Sequence, residues 1–317
     1  MSPRSWKHWT GCARRPRRPT APRPSSTACA RRTELPTHER PPEDRVSDQG
    51  FPAAEIDTSK PHPARMYDFY LGGKDHYEID RAAASHVVSV FPGIKTCAQV
   101  NRLFMHRATR WLAAEAGIRQ FLDIGTGIPT EPNLHQIAQG VAPDAKIVYA
   151  DNDPIVLTHA RALLRSTAEG RTAYIHADVR EPESILTAAE LHATLDMSRP
   201  VALSLNALLH FVPDEFKPYD LVAALVDALP SGSYLVISHC TPDFAPETWE
   251  KVIDVYRSGG IFAQVRSAGE IARFFDGLEL LEPGVEVPHR WKPDADQLLT
   301  DVTDAEVSLY VGVARKR

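Results

Sequence analysis

"QFLDIGTGIPTEPN", Gln120 to Asn133, is the stretch on which the fold turns. "QFLDI" is short, apolar and bounded by turn residues, as a buried strand is. Gly125 and Gly127 break it, and helix-compatible sequence resumes near residue 131. A strand that runs through a glycine loop into a helix is the opening unit of nucleotide-like cofactor sites in open α/β folds. A dinucleotide loop wants a third glycine where Thr130 stands, and Asp123 lies just before the glycines.

Outward from this loop the pattern alternates. Apolar runs suited to strands lie at 119–124, 146–150, 173–177, 201–205, 233–238, 278–281 and 307–314. Helical segments separate the first five at 131–140, 154–168, 182–193 and 214–229, and one helix or two falls within 247–276. Short apolar strands alternating with helices predict a mostly parallel α/β sheet covered on both faces. The last two strands lack an obvious helix between them, which suits an antiparallel final strand. Upstream, Val100, Leu103, Phe104, Ala108, Trp111 and Leu112 sit at helical spacing, predicting a helix over 97–116 that Gly117 ends. Two short helices flank Gly72-Gly73, with Asp75 or Asp80 as caps for the second.

Composition bounds the rest. The 317 residues are 43% hydrophobic and 24% charged, ordinary for a globular chain. No run approaches the roughly 18 apolar residues of a membrane span, and no secretory h-region stands near the start. Cys12, Cys29, Cys97 and Cys240 show no metal-ligand spacing, so a reducing cytoplasm is the default compartment. No His or carboxylate spacing suggests a metal site. Residues 1–33 hold nine of the 36 basic residues and no acid, so the remainder sets 27 basic against 41 acidic side chains, a net of −14. Nucleic-acid binding by that acidic body is disfavoured. Residues 1–60, rich in Pro, Arg, Ser and Thr, read as a disordered tail. A solvated tail, or an upstream stretch read from an early start codon, is favoured there over a targeting or nucleic-acid patch.

Polar residues close four predicted strands: Asp123, Asp151, Asp178 and Asn206, spaced 28, 27 and 28 apart. Such regular spacing is what successive βα units give, and it sets all four on the carboxyl edge of one sheet. Each alone would serve as a helix cap; four in succession behind a glycine loop favour a ligand. A carboxylate at Asp123 is poorly placed to meet a pyrophosphate and well placed near an ammonium. S-adenosylmethionine has no phosphate and offers an ammonium, a sulfonium, a ribose diol and an adenine. Gly125, Thr126 and Gly127 would form its loop, and Asp151 would accept the ribose hydroxyls. Asp178 would accept the adenine amine, the Val179 backbone would meet a ring nitrogen, and Asn152 would flank the ring.

These residues resemble the motifs of class I S-adenosylmethionine-dependent methyltransferases: "FLDIGTG", "VYADNDP", "HADVR" and "LNALLHFVPD" in order. "PARMYDFYLGGKDHYEIDR", "NRLFMHRATRWLAAEAGIRQFLDIGTGIPT" and "VYADNDPIVLTHARALL" are similar to one actinobacterial group of them, long catalogued as a domain of unknown function. The resemblance spans about residues 60–317. It implies a Rossmann-like seven-stranded sheet whose antiparallel last strand is inserted between the fifth and sixth. It also implies that an N-terminal helical segment, 61–118, caps the cofactor site of a core at 119–317. The methyl acceptor is not implied by the motifs; a small molecule is expected.

Methyl transfer from a sulfonium needs a positioned nucleophile and often one base. His210 follows the fourth strand, where the class often faces a side chain toward the methyl group. Tyr67 is the second catalytic candidate, among Asp68, Tyr70, Lys74, Asp75, His76 and Tyr77 in a segment that Gly72-Gly73 would hinge as a lid. Asn101 and Arg102 are candidates for the methionine carboxylate, and His239, His289 and Trp291 for the acceptor pocket. Two alternatives stay open: an NAD(P)-dependent oxidoreductase, which Thr130 argues against, and a non-catalytic domain that binds S-adenosylmethionine to regulate.

Overall fold

In a computed structural model, the structure describes residues 57–163, 165–294 and 301–317. Of the tail expected over 1–60, residues 1–56 lie outside the described residues, as do Cys12 and Cys29, while residues 57–60 are described and exposed. The described residues belong to one compact unit.

Three helices come first. α1 (Pro63–Leu71) starts with proline at a position needing no N–H, is capped by His62, and ends at Gly72 with φ 81°. α2 (Glu78–Val90) opens on a capping box in which Asp80 accepts the Tyr77 N–H at 2.8 Å. Asp80 thus serves as expected, while Asp75 gives its own N–H to Asp68. α3 (Ile94–Ala114) begins three residues earlier than its periodicity predicts.

The alternating part follows in order: β1 (Gln120–Ile124), α4 (Leu134–Val141), β2 (Lys146–Asp151), α5 (Pro154–Leu163), β3 (Arg171–His176), α6 (Pro182–Leu186), α7 (Ala189–Thr194), β4 (Ala202–Asn206), α8 (Pro218–Asp227) and β5 (Tyr234–Cys240). Then come α9 (Pro246–Ser258), α10 (Ala268–Ala272), β6 (Glu279–Leu280), α11 (Asp304–Val307) and β7 (Leu309–Arg315). The sheet order is β3-β2-β1-β4-β5-β7-β6. β1 to β5 pair in parallel, and β7 runs antiparallel between β5 and β6. This is the seven-stranded Rossmann-like arrangement the resemblance implied.

Several predicted helices form differently: the one expected from 131 starts at Leu134, and the one expected to reach 168 ends at Leu163. Residues 182–193 split into α6 and α7, because Ala188 is extended and the Thr187 hydroxyl binds the Glu183 carbonyl at 2.7 Å. The helix expected from 214 starts at Pro218; a 3₁₀ turn covers Asp214–Phe216, and Lys217, which precedes the proline, is left-handed at φ 51°. A residue before proline is pushed out of the helical region.

Strand alternation explains the layering. Leu122, Ile124, Val148, Ala150, Leu203 and Leu205 face the layer of α6, α7 and α8, while Phe121, Ile147, Tyr149, Ala202 and Val236 face α3 and α4. A third apolar core joins Met66 and Tyr70 of α1, Val87 of α2 and Cys97 of α3 to Trp249 and Val252 of α9. The cap is therefore completed by α9, which follows the fifth strand and lies far from α1–α3 in the chain. Among the described residues no helix is long and apolar enough to cross a membrane.

Candidate functional site

The carboxyl edge of β1–β4 and the cap enclose a cavity of about 410 Å³. All eleven residues predicted to hold the cofactor line it, together with His210 and Tyr67.

The glycine loop closes one side. Gly125 and Gly127 take φ 72° and 67°, the left-handed region. A Cβ on Gly125 would stand 2.6 Å from Leu208 Cδ1, so the residue serves both the turn and a close approach. Asp151 supports the loop from below: one carboxylate oxygen accepts the Gly127 N–H at 2.8 Å and the other the Asp153 N–H at 2.9 Å. A carboxylate offers about four lone-pair sites, so acceptance of a diol remains open to it. Burial raises the Asp151 carboxyl above its usual range, and the two amides oppose that rise.

Asp123, at the end of β1, accepts the Thr126 hydroxyl at 2.7 Å. Burial lifts its carboxyl to about 6, against the Thr126 bond and the Arg102 charge. Arg102 spends its Nη2 on the Thr130 and Pro132 carbonyls, which tethers α3 to the loop. Asn101 donates to the Tyr67 hydroxyl at 2.9 Å, and that hydroxyl donates to the Ala98 carbonyl at 3.0 Å. Asn101 Oδ1 and Asn206 Oδ1 are buried without a hydrogen-bond partner. Buried unmatched acceptors are rare in folded proteins, and these two line the cavity, where they fit the donors of a bound group.

Asp178 is more committed than expected. It accepts the Arg180 N–H and Nε, each at 2.9 Å, and Asn152 Nδ2 at 3.0 Å. An adenine amine there competes with these bonds, whereas Val179 simply lines the cavity, buried. Asn152, predicted to flank the ring, is held by Asp178.

His210 lies on a 3₁₀ turn after β4 and is 8% exposed. Burial, then the Arg266 charge, pushes its imidazole down to about 3, so it is neutral at pH 7. Its Nε2 is 3.8 Å from Cys240 Sγ, and its Nδ1 has no partner. Burial raises the Tyr67 phenol to about 12.

The structure corrects several expectations. Of the lid residues, only Tyr67 and Tyr70 line the cavity. Gly73 packs against Asp68, whose Oδ1 would stand 1.8 Å from a Cβ there, so close packing explains this glycine. Asp68 is held by His76 at 2.7 Å. Trp291, fully buried, packs edge-on against Phe104 of α3 at 5.3 Å, with neighbouring His289 near Asp304. His239 is buried and accepts Arg266 Nη1 at 2.9 Å. None of these three lines the cavity.

Other site features carry little local signal in the sequence. Arg266, 1% exposed, donates to the Leu209 and Val212 carbonyls and to Asp214, fixing the turn that carries His210. Buried Arg65, Asp80 and Asp153, with half-buried His62 beside them, form a latch. Arg65 Nε stands 3.0 Å from Asp153 Oδ2 and Nη1 3.6 Å from Asp80, while His62 Nδ1 is 3.2 Å from Asp153. The latch ties α1 to the turn that follows β2, just beyond Asp151. Ala207, next to Asn206, holds a left-handed φ of 51° at the cavity wall, a strain of the kind that gathers at functional sites. For Asp153 the signal is its place before Pro154 at a helix start, which reads as a cap and nothing more.

Comparison with known proteins follows the same line. A family model described as S-adenosyl methyltransferase matches residues 49–317. A DUF574 family protein of Streptomyces avermitilis is 50% identical, with a TM-score of 0.81, over 83% of this chain and 100% of its own. A protein of Thermobifida fusca, proposed to be a methyltransferase, is 40% identical, with a TM-score of 0.76, over 85% of this chain and 100% of its own. No curated protein matches. With one family model spanning the whole compact unit and two solved relatives matched over their full length, the chain belongs to the S-adenosyl methyltransferase family.

Proposed function

We propose that the strand-end half of the cavity holds S-adenosylmethionine and that a small-molecule acceptor enters the half beneath the cap. The enzyme is an S-adenosylmethionine-dependent methyltransferase by family. The observation that carries the site assignment is the gathering of the loop, the four strand-end residues, Asn101 and Arg102 around one cavity. The charges agree with it. Three carboxylates (Asp123, Asp151, Asp178) and two guanidiniums (Arg102, Arg180) line the cavity, one negative charge in excess. S-adenosylmethionine, with an ammonium, a sulfonium and a carboxylate, carries one positive charge in excess.

S-adenosylmethionine supplies a methyl carbon already activated by its sulfonium. The chain's task is then to orient the acceptor and exclude water. Asp123 is assigned to the ammonium, Arg102 and Asn101 to the carboxylate, and Asp151 to the ribose. Val179 and Asn152 are assigned to the adenine, with Asp178 holding Asn152 in place. His210 is assigned to orient the acceptor, with Tyr67 beside it. An imidazole held down to about 3 accepts a hydrogen bond at pH 7 but is a weak base.

Calorimetric titration with S-adenosylhomocysteine and with NADH tests the site. Micromolar or tighter binding of the first and none of the second is expected; the reverse would sink the assignment. Transfer of a labelled methyl group into a fractionated bacterial metabolite extract then tests for a small-molecule acceptor.

A further inference from the structure

The two halves of the cavity differ in charge. All five ionic side chains of the lining belong to β1–β3, the turns after them and α3. The half beneath the cap is walled by Tyr67, Tyr70, Cys97, Phe211, Trp249 and Tyr256, and no acid, lysine or arginine among the lining residues lies there. The tyrosine hydroxyls are engaged within the wall, although a bond between two hydroxyls uses only one of their two hydrogens. Tyr70 and Tyr256 bond each other at 3.2 Å, and Tyr67 bonds Ala98 and Asn101. These residues therefore present ring faces.

Two polar atoms in this half are left over. Trp249, 2% exposed, has its Nε1 unpartnered, and His210, 8% exposed, has its Nδ1 unpartnered. Buried polar atoms without partners are costly, and a bound molecule with one or two polar atoms would relieve both. At the rim, Phe262 lines the cavity and is 50% exposed, edge-on to Phe216 at 5.3 Å. A large exposed ring at a cavity mouth favours an apolar visitor.

Given the site assignment proposed above, we infer that the acceptor is a neutral, flat, largely apolar molecule of one or two rings, carrying one or two polar atoms that meet Trp249 Nε1 and His210 Nδ1. An ionic acceptor would be buried there without a free counter-charge, since Arg102, whose charge reaches Tyr67, is assigned to the cofactor's carboxylate, and the cost in desolvation is large. The size follows from about 410 Å³ shared between cofactor and acceptor, near the low end of ligand pockets, which run to roughly 1,000 Å³. The groups of this half are also held neutral: burial lowers His210, and it raises Tyr67 and Tyr256.

The experiment uses the full chain saturated with S-adenosylhomocysteine and titrates three probes of one shape. These are 2-naphthol, 2-naphthoate and 2-naphthylmethylammonium, measured by calorimetry at pH 7. The neutral probe is expected to bind at least tenfold tighter than either charged one. Phe262→Asp is expected to weaken 2-naphthol at least fivefold while S-adenosylhomocysteine affinity holds. Equal or tighter binding of a charged probe, or no binding of 2-naphthol to the loaded protein, would overturn the inference and leave the cofactor site standing. Failure to bind S-adenosylhomocysteine at all would overturn the site assignment and this inference with it. Trp249→Phe supplies a second measurement, with a loss of 2-naphthol affinity expected from the missing N–H and no loss counting against the inference.

Discussion

The two halves of the cavity are built on different principles. The strand-end half comes from consecutive βα units, so its polar residues recur every 27 or 28 positions from Asp123 to Asn206. The half beneath the cap gathers α1, α3, α9 and the loop after α9, segments with no common spacing. The first is charged and held by its own backbone; the second is apolar and held by ring packing. A periodic scaffold fixes a cofactor site, while an assembled one leaves the acceptor site free to vary without disturbing the sheet.

The latch joins the halves, so breaking it should have the largest effect. Arg65→Met leaves Asp80 and Asp153 buried at 0% and 2% exposure without their cation. Removing one partner of a buried ion pair costs about 3–5 kcal/mol. Urea unfolding should show a loss of that order; a change below about 1 kcal/mol would mean that water or the His62 ring replaces the guanidinium, on the scale of a surface pair.

Asp151→Ala comes next and acts on the cofactor half and, through the Asp153 amide, on the latch. It removes the acceptor of the Gly127 and Asp153 amides as well as the proposed ribose contact. S-adenosylhomocysteine affinity should fall by about 1–3 kcal/mol, read by calorimetry. Unchanged affinity with lowered stability would reduce Asp151 to a loop support.

How much of the molecule is legible in its sequence follows the same division. Asp123, Asp151, Asp178 and Asn206 can be read because strand length and crossover length fix their spacing. Asn101 can be read because it interrupts the apolar face of Ile94, Cys97, Ala98 and Met105 on α3. The helix start at Pro218 is misplaced to 214 by apolar periodicity, which hides the break that Lys217, the residue before the proline, imposes. Nothing local marks the pairing of Arg65 with Asp153, 88 residues apart, or the docking of Trp249 against Phe91. Those contacts depend on how the cap closes, and periodicity along one segment does not encode them. His239 and Trp291 mislead because a polar or aromatic residue near a strand end can equally face the core away from the cavity.

Asp123 gives a smaller effect that depends on pH. Its carboxyl rises from 3.8 to about 6 in the fold because burial disfavours the charge. The folded chain thus holds this proton more tightly than the unfolded chain. The stability it contributes is fully present below about 3.8 and is lost as pH rises through about 6. Cofactor binding has the opposite slope, because the ammonium wants the ionised form. S-adenosylhomocysteine affinity should rise about tenfold from pH 5 to pH 7, in proportion to the ionised fraction. Asp123→Asn should flatten that rise, weaken binding at pH 7, and make the unliganded protein more stable at pH 8. A pH slope that survives in Asp123→Asn would shift the titration to another group.

The smallest effect tests the independence of the halves. Tyr70→Phe removes the hydroxyl that meets Tyr256 Oη at 3.2 Å and keeps the ring that walls the acceptor half. Stability should fall by about 1 kcal/mol, the net worth of one buried hydrogen bond. S-adenosylhomocysteine affinity should stay within about twofold, less than about 0.5 kcal/mol on the scale where tenfold is roughly 1.4. A larger loss would mean that the ring packing beneath the cap also sets the strand-end half, through α3, which carries Cys97 on one side and Asn101 with Arg102 on the other. The two halves would then be one coupled site, and an acceptor that orders the rings would tighten the cofactor by the same factor.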